Sequence, residues 1–434
     1  MSTTPPATRP ASATAWRNAV FVVFLLNGLG AAAWVSRIPS IRDQLGIGVD
    51  SVGILLVSMS VGSIVGLILS SHLVHWLGGR MTILVFIAGC GVALALIGVG
   101  TTVLGSFVAT MVGFALYGFA SGIADVAMNV SGAGSERANG RNIMPWFHAC
   151  WSLGTVIGAA IGSAAAFAGV DPAIHFAGMA VVLVVGAFVV VRWIPSDDAL
   201  AGDDAGAPTA TFRERMAIWV NPRTLLIGLI VLGMAFTEGS ANDWLAIGFI
   251  DGRGFDNGQG ALVFGVFTVS MTVGRLVGVP LLDRFGRVAV LRAAAIAAAI
   301  GIAVVILVPI VPIAIAGVIL WGLGASLGFP VGMSAAADDP RTAAASVSAV
   351  ATIGYGAFLI GPPLIGFVGH EIGVLNALSI VLGLIIVATL AVPAAREPRS
   401  AASRDAMRIS GTGEAAAAGE PATGDSRPTS HTPS

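Results

Sequence analysis

Apolar and polar positions fall along this chain in long blocks. Stretches of about twenty mostly apolar residues, the length a helix needs to cross a hydrocarbon core roughly 30 Å thick, are separated by brief clusters of charge, Gly and Pro. Twelve such blocks are predicted as transmembrane helices, at residues 17–36, 51–77, 81–100, 104–130, 142–168, 173–193, 223–250, 259–282, 288–309, 311–334, 342–368 and 372–393. Between the sixth and seventh, Pro195 to Asn221 carries Asp197, Asp198, Asp203, Asp204, Arg213, Glu214 and Arg215, which marks a linker between six-helix halves. The expected organisation is a tail at 1–16, a first bundle at 17–193, a linker at 194–222, a second bundle at 223–393 and a tail at 394–434. That last tail is rich in Ala, Ser, Thr, Gly, Pro and Arg without apolar periodicity, so it is expected to be disordered.

Composition agrees with an all-α polytopic membrane protein. Hydrophobic residues are 56% of the 434 and charged ones 10%, against about 25% charged in an ordinary soluble domain. All 22 basic residues are arginine, and their placement predicts orientation, because basic residues near helix ends are retained on the cytoplasmic side. With the N-terminus inside, most fall inside, and only Arg37, Arg42 and Arg253 fall outside. Both termini are therefore expected in the cytoplasm, with the chain in the plasma (inner) membrane. A net charge of -1 gives no sign of a nucleic-acid partner. Cys90 and Cys150 lie in apolar stretches and read as packing residues, not as a disulfide or a metal site. Ala31-Ala32-Ala33 resembles a signal-peptide cleavage site, but further apolar spans follow it, so an uncleaved first helix is expected.

The halves repeat. Gly30-Ala31-Ala32-Ala33-Trp34 matches Ser240-Ala241-Asn242-Asp243-Trp244, and Leu77-Gly78-Gly79-Arg80 matches Phe285-Gly286-Arg287. Gly113 to Gly118 matches Gly317 to Gly322, and Arg141 with Leu153-Gly154 matches Arg341 with Ile353-Gly354. Four matches in one order indicate a parallel internal repeat, a known plan for transporters.

Ionisable groups inside apolar spans are costly and mark function by default; here they are Asp125, Glu238, Asp243, Arg275 and His148. Asp125 precedes Glu136 by eleven residues, which puts it about 16 Å from the cytoplasmic helix end, with Asn129 one turn away on the same face. It reads either as a carboxylate that binds and releases protons or as half of a fixed structural pair. Glu238 and Asn242 share a face of the seventh helix beside Asp243 and Trp244; Glu238 is predicted about 22 Å in from Arg223, slightly toward the outer side. Carboxylates and an amide beside an indole suit a polar solute, and an outer gate or a structural network are the alternatives; Glu238 is also a candidate for proton coupling. Arg275 and His148 are predicted at similar depth, where, if the fifth and eighth helices face each other, the arginine either holds an anionic substrate, neutralises Asp125 or locks one conformation in a salt bridge. Asn27, Trp34, Tyr117, Trp151, Trp321 and Tyr355 are candidates for the cavity wall. Gly62, Gly66, Gly154, Gly158, Gly162 and Gly361-Pro362-Pro363 have the spacing of close helix seams, either between moving halves or within them.

Leu282-Asp283-Arg284-Phe285-Gly286-Arg287 resembles the cytoplasmic signature of the major facilitator superfamily. The resemblance implies twelve helices in two six-helix pseudo-repeats that carry a solute by alternating access. It also implies a cytoplasmic gate, whose candidates are Arg80, Arg141, Asp283, Arg284, Arg287 and Arg341; the first-half loop carries His75 where the family has an acid. Ala124 to Asn129, Arg141 to Pro145 and His148 to Gly154 are similar to the fucose permease branch, including its bacterial rhizopine-associated membrane proteins and related inner-membrane transporters. In sugar-transporting members of that branch the fourth helix carries a protonatable acid and, four residues on, an Asn. Asp125 and Asn129 match them, which implies proton coupling and a solute contact at Asn129. The acid of those members' first helix has no counterpart in Ala31 to Ala33, so the resemblance does not extend to fucose itself.

The function read from all this is secondary transport of a small polar organic solute, a sugar, polyol or similar, with the proton as coupling ion. Proton-driven efflux of drugs or metabolites on the same fold is the alternative. No Walker loop, HExxH or GxSxG motif is present, so neither ATP-driven transport nor an enzyme is expected. The partners expected are the solute, the proton and the bilayer around a monomer, with no cofactor or metal.

Overall fold

The computed structural model describes residues 12–140, 143–195, 217–338 and 342–396. Among these residues there is no strand, and twelve helices are long and apolar enough to cross a membrane. They are α1 (Ala13–Leu45), α2 (Val49–Leu77), α3 (Gly79–Val103), α4 (Phe107–Asn139), α5 (Trp146–Phe167), α6 (Pro172–Trp193), α7 (Pro222–Arg253), α8 (Asn257–Phe285), α9 (Arg287–Leu307), α10 (Val311–Ala336), α11 (Ala345–Ile372) and α12 (Val374–Ala395). Successive helices run in opposite directions. The start of α1 and the end of α12 therefore share one face, here the terminal face, and the far face lies opposite.

Several helices outrun their apolar blocks. The fourth continues past residue 130, where Ser131 and Ser135 are buried and Ser131 Oγ accepts from Trp16 Nε1 at 2.9 Å; Asn139 Nδ2 donates to the Ser135 carbonyl at 2.8 Å, and Gly140 ends the helix with φ 62°. Helix α7 reaches Arg253 and stops at Gly254, φ 71°. Helix α1 breaks at Ser36-Arg37 and resumes at Ile38. Pro39 lacks the N–H that an interior turn needs and so sits in the first turn of the resumed segment. Gly78 between α2 and α3 and Gly286 between α8 and α9 have φ of 78° and 75°. A left-handed link at equivalent places is what makes glycine necessary in both copies of the repeated loop.

Packing repeats with the sequence. In the first half α1 packs on α5, α2 on α4 and α3 on α6; in the second, α7 packs on α11, α8 on α10 and α9 on α12. The seams are made by glycines that meet carbonyls across the interface. A Cβ at Gly28 would run into the Trp151 carbonyl and one at Gly154 into that of Leu25; Gly62 stands likewise against Ala115 and Gly118 against Met59. Gly62, Gly66, Gly154, Gly158 and Gly162 thus seal helices within the first half. The seam between halves is built elsewhere, where α5 meets α8 and α2 meets α11. There a Cβ at Gly53 would stand 3.1 Å from the Pro362 carbonyl and one at Gly366 3.1 Å from that of Val49.

Candidate functional site

Midway across the spans a line of polar side chains joins the halves. Glu238, at the middle of α7, accepts from Arg275 Nη2 of α8 at 3.2 Å. Arg275 Nη1 donates to Ser152 Oγ of α5 at 3.0 Å, and Ser152 Oγ donates to the His148 carbonyl at 3.2 Å. The guanidinium carbon lies 5.9 Å from the centre of the Trp151 ring, within cation–π range. Trp151 Nε1 in turn donates to Asn27 Oδ1 of α1 at 3.1 Å. A planar guanidinium presents donors in several directions and a flat face, and Arg275 directs one edge to an acid of its own half and another to a hydroxyl of the other. Arg275 and Glu238 keep 27% and 16% of their side-chain surface, so a solute can reach both.

Asp125 stands near the middle of α4, half-buried. Asn129 Nδ2 donates to its Oδ1 at 3.3 Å and to its carbonyl at 2.8 Å, and among the described residues no basic group pairs with it. Asp243 is buried and, among the described residues, has no hydrogen-bond or ionic partner; Asn242 beside it is half-buried. His148 is exposed near the start of α5, with its ring edge-on to Phe24 at 5.2 Å.

Not every candidate is brought to this line. Trp34 and Tyr117 are buried beside Phe114 inside the first half, and the Trp34 ring meets that of Phe114 edge-on at 5.5 Å. Trp244 and Trp321 are fully buried in the second half, where Trp321 Nε1 donates to the Thr237 carbonyl at 3.2 Å. Trp151 is half-buried and meets Arg275 of the other half, while the exposed Tyr355 stands 6.3 Å from the Phe329 ring of its own half. Glu238 lies at the centre of α7, which extends beyond its apolar block at both ends.

The described gate candidates sit at the terminal-face ends of α3, α8 and α9. Arg287 pairs with Asp338 of α10's end at 3.0 Å, inside its own half, and Arg223 pairs with the same carboxylate at 2.6 Å. Asp283 is exposed, Arg284 lies 5.2 Å over the Phe285 ring, and Arg80 is half-exposed. Arg141 and Arg341 lie outside the described residues.

Among the described residues, the polar contacts that do cross the halves lie at the centre and on the far face. There Arg42 Nη1 donates to both oxygens of Asp251, at 2.7 and 2.6 Å, and Asn257 Nδ2 donates to Asp43 Oδ2 at 2.9 Å. Ser163 Oγ donates to the Gly258 carbonyl at 3.1 Å, Ser60 Oγ to that of Phe358 at 2.7 Å, and His370 stands 3.7 Å from Asp50. The halves are therefore clamped together on the far face. Ser152, Asp338 and this clamp were absent from the sequence-derived candidates; the three far-face arginines, exceptions to the basic-residue rule, were the available signal for the clamp.

A line of donors and acceptors that spans two helical halves, beside an acid without a cation, suits binding a polar solute and holding a proton. Comparison with known proteins agrees with the fold. A model described as "Major Facilitator Superfamily" matches residues 20–362 and 244–421. An uncharacterized MFS-type transporter of Yersinia pestis is 32% identical over 377 residues, 86% of this chain and 93% of that protein. Among solved structures, a mutant of the nucleoside transporter NupG superposes with a TM-score of 0.72 at 14% identity, over 88% of this chain and all of that one. The Escherichia coli fucose:proton symporter FucP superposes with a TM-score of 0.60 at 14% identity, over 88% of this chain and 98% of that one.

Proposed function

The chain belongs to the major facilitator superfamily, and on that premise we propose that it carries a small polar organic solute, of the sugar or polyol class, across the plasma membrane by alternating access coupled to protons. The observation that carries the reading is the central line Glu238–Arg275–Ser152, with Trp151 and Asn27 beside it, because it offers donors, acceptors and an indole face at mid-membrane and belongs to both halves. Hydrogen bonds of this kind discriminate strongly for hydroxyl-bearing solutes, since a solute without them leaves buried groups unpaired. A guanidinium at the centre of the site disfavours cationic amphiphiles, which argues against the efflux of such drugs.

Asp125 is the proposed proton carrier and Glu238 a second protonatable group. Asp125 has a single amide partner and no cation, so its protonation breaks no ion pair. Glu238, by contrast, releases Arg275 when it is neutralised, which ties its proton to the state of the arginine. FucP is a fucose:proton symporter, and the shared fold supports proposing the same coupling here. With the terminal face in the cytoplasm, as the arginine distribution supports, the far-face clamp closes the extracellular side, and this structure is an inward-facing state. The two six-helix halves proposed from sequence are then the rocking bodies.

The test is uptake of labelled sugars, polyols and nucleosides by proteoliposomes under an imposed pH gradient. A member of the panel is expected to accumulate above equilibrium, and a protonophore to abolish this. Asp125→Asn is expected to keep solute exchange while losing gradient-driven accumulation, and Glu238→Gln to weaken both. Intact accumulation in Asp125→Asn would remove the proton role, and export of cationic dyes with no polar solute taken up would replace the whole reading.

A further inference from the structure

Far from the central line, the end of the first half holds charged and polar groups that transport of a neutral solute does not use. Arg37, in the break of α1, is 2% exposed, and His175, one turn into α6, is 7% exposed. Arg37 Nη2 donates to the Val170 carbonyl at 2.6 Å, while Nε and Nη1 are buried without a partner among the described residues. Both ring nitrogens of His175 are buried and equally partnerless. The Val170 carbonyl that Arg37 meets adjoins Asp171, and the His175 N–H donates to the Asp171 carbonyl at 3.1 Å, so the three groups share one region. Gly162 on α5 closes it: a Cβ there would meet Ser36 Oγ and stand 3.7 Å from His175 Cε1.

Asp171 acts on this arginine only from beyond ion-pair distance, because its oxygens are engaged elsewhere, Oδ1 by the Ala173 amide at 2.7 Å and Oδ2 by Gln44 Nε2 at 3.1 Å. An arginine stays protonated in a protein, and a buried ion without a contacting counter-charge is unfavourable. What the region lacks is a negative charge in contact, one that accepts hydrogen bonds from Nε, Nη1 and an imidazole N–H at once. Water accepts hydrogen bonds but brings no charge.

We propose that Arg37 and His175, with the Ser36–Gly162 contact as floor, form a binding site for a small inorganic anion of halide size at the far face of the first half. The site is separate from Arg275, so it stands or falls independently of the transported solute. An anion bound there ties the break in α1 to the start of α6, next to the segment that supplies Arg42 and Asp43 to the clamp.

The experiment is thermal unfolding of the purified full-length protein in detergent, followed by tryptophan fluorescence, with chloride or bromide titrated against gluconate at constant ionic strength. The wild type is expected to show a saturable rise in midpoint with halide. His175→Phe is expected to need about tenfold more halide, the loss of one hydrogen bond to an ion, and Arg37→Met to show no halide dependence. Should Arg37→Met not fold, the His175→Phe titration decides the matter alone. A midpoint indifferent to the anion, or an identical titration in His175→Phe, overturns the proposal and leaves the region to water.

Discussion

Removing Asp251 tests whether the far-face clamp holds this state closed. In the wild type Arg42 reaches both carboxylate oxygens of Asp251, and the two side chains are 13% and 37% exposed. A fully exposed pair contributes about 0.2–1 kcal/mol, and a hydrogen bond to a charged group in a less exposed setting about 1.5–3 kcal/mol. The geometry places this pair between the two, at about 1.5 kcal/mol once solvent screening is allowed for. Asp251→Ala removes it and leaves Arg42 with Asp43 at 3.1 Å. Because the contact exists only while the far face is closed, the equilibrium toward an open far face is expected to move about tenfold. Spin labels at Val103→Cys and Leu307→Cys, both exposed at far-face helix ends, with Cys90 and Cys150 replaced by Ala, report the separation by pulsed dipolar spectroscopy. The longer-distance population is expected to grow by that factor, and high salt to produce part of the same shift in the wild type. An unchanged distance distribution in Asp251→Ala would refute the reasoning, since the bond would then contribute equally to both states.

Three further outcomes are expected. Arg275→Lys keeps the charge but loses the fork that holds Glu238 and Ser152 together, so uptake of an identified solute should fall by about 30-fold, roughly 2 kcal/mol, in proteoliposome kinetics. Gly118→Val drives a side chain into the Met59 carbonyl across the α2–α4 seam; it should cost about 3 kcal/mol and appear as a clear drop in the unfolding midpoint in detergent. Burial pushes the Asp171 carboxyl up, but the Ala173 amide, Gln44 and the Arg37 charge more than offset this and hold it below the usual carboxylate range. Its ionised form therefore adds stability above about pH 4, lost as the pH falls through the lower native value. Asp171→Asn should lower the unfolding midpoint at pH 7, and the gap to wild type should close as the pH falls below the usual carboxylate range.

The spans were legible because a bilayer demands apolar length, and the repeat because the loops at Gly78 and Gly286 both need a left-handed residue. Helix ends were less so. Apolarity marks the hydrocarbon core, whereas α4 runs on through Ser131 and Ser135 until Gly140 stops it. The aromatic candidates were ambiguous for a geometric reason: an indole in an apolar span looks the same whether the helix turns it toward a neighbour, as with Trp321, or toward the space between halves, as with Trp151. That rotation depends on contacts far apart in sequence. The family signature drew attention to Asp283, whereas the acid that Arg287 meets in this structure is Asp338, beyond the next helix. Far-face arginines were visible as exceptions to the basic-residue rule, and each has a specific acceptor. Arg37 meets the Val170 carbonyl, Arg253 those of Val305 and Val308, and Arg42 the carboxylate of Asp251.

The distribution of pairings gives the proposed cycle an order of events. On the terminal face Arg223 and Arg287 meet Asp338 within one half, so those bonds survive when the halves move apart. On the far face Arg42 meets Asp251 across the halves, so that bond must break when the far face opens. Arg275 stands between, with one bond of each kind: Glu238 within its half and Ser152 across. A solute that takes Nη1 from Ser152 cuts the central tie while leaving the far-face clamp in place, and a proton on Glu238 frees the other edge of the same guanidinium. Loading at the centre therefore loosens the seam before the clamp opens. For Arg275, ligand and proton act on one pair of hydrogen bonds and so favour each other.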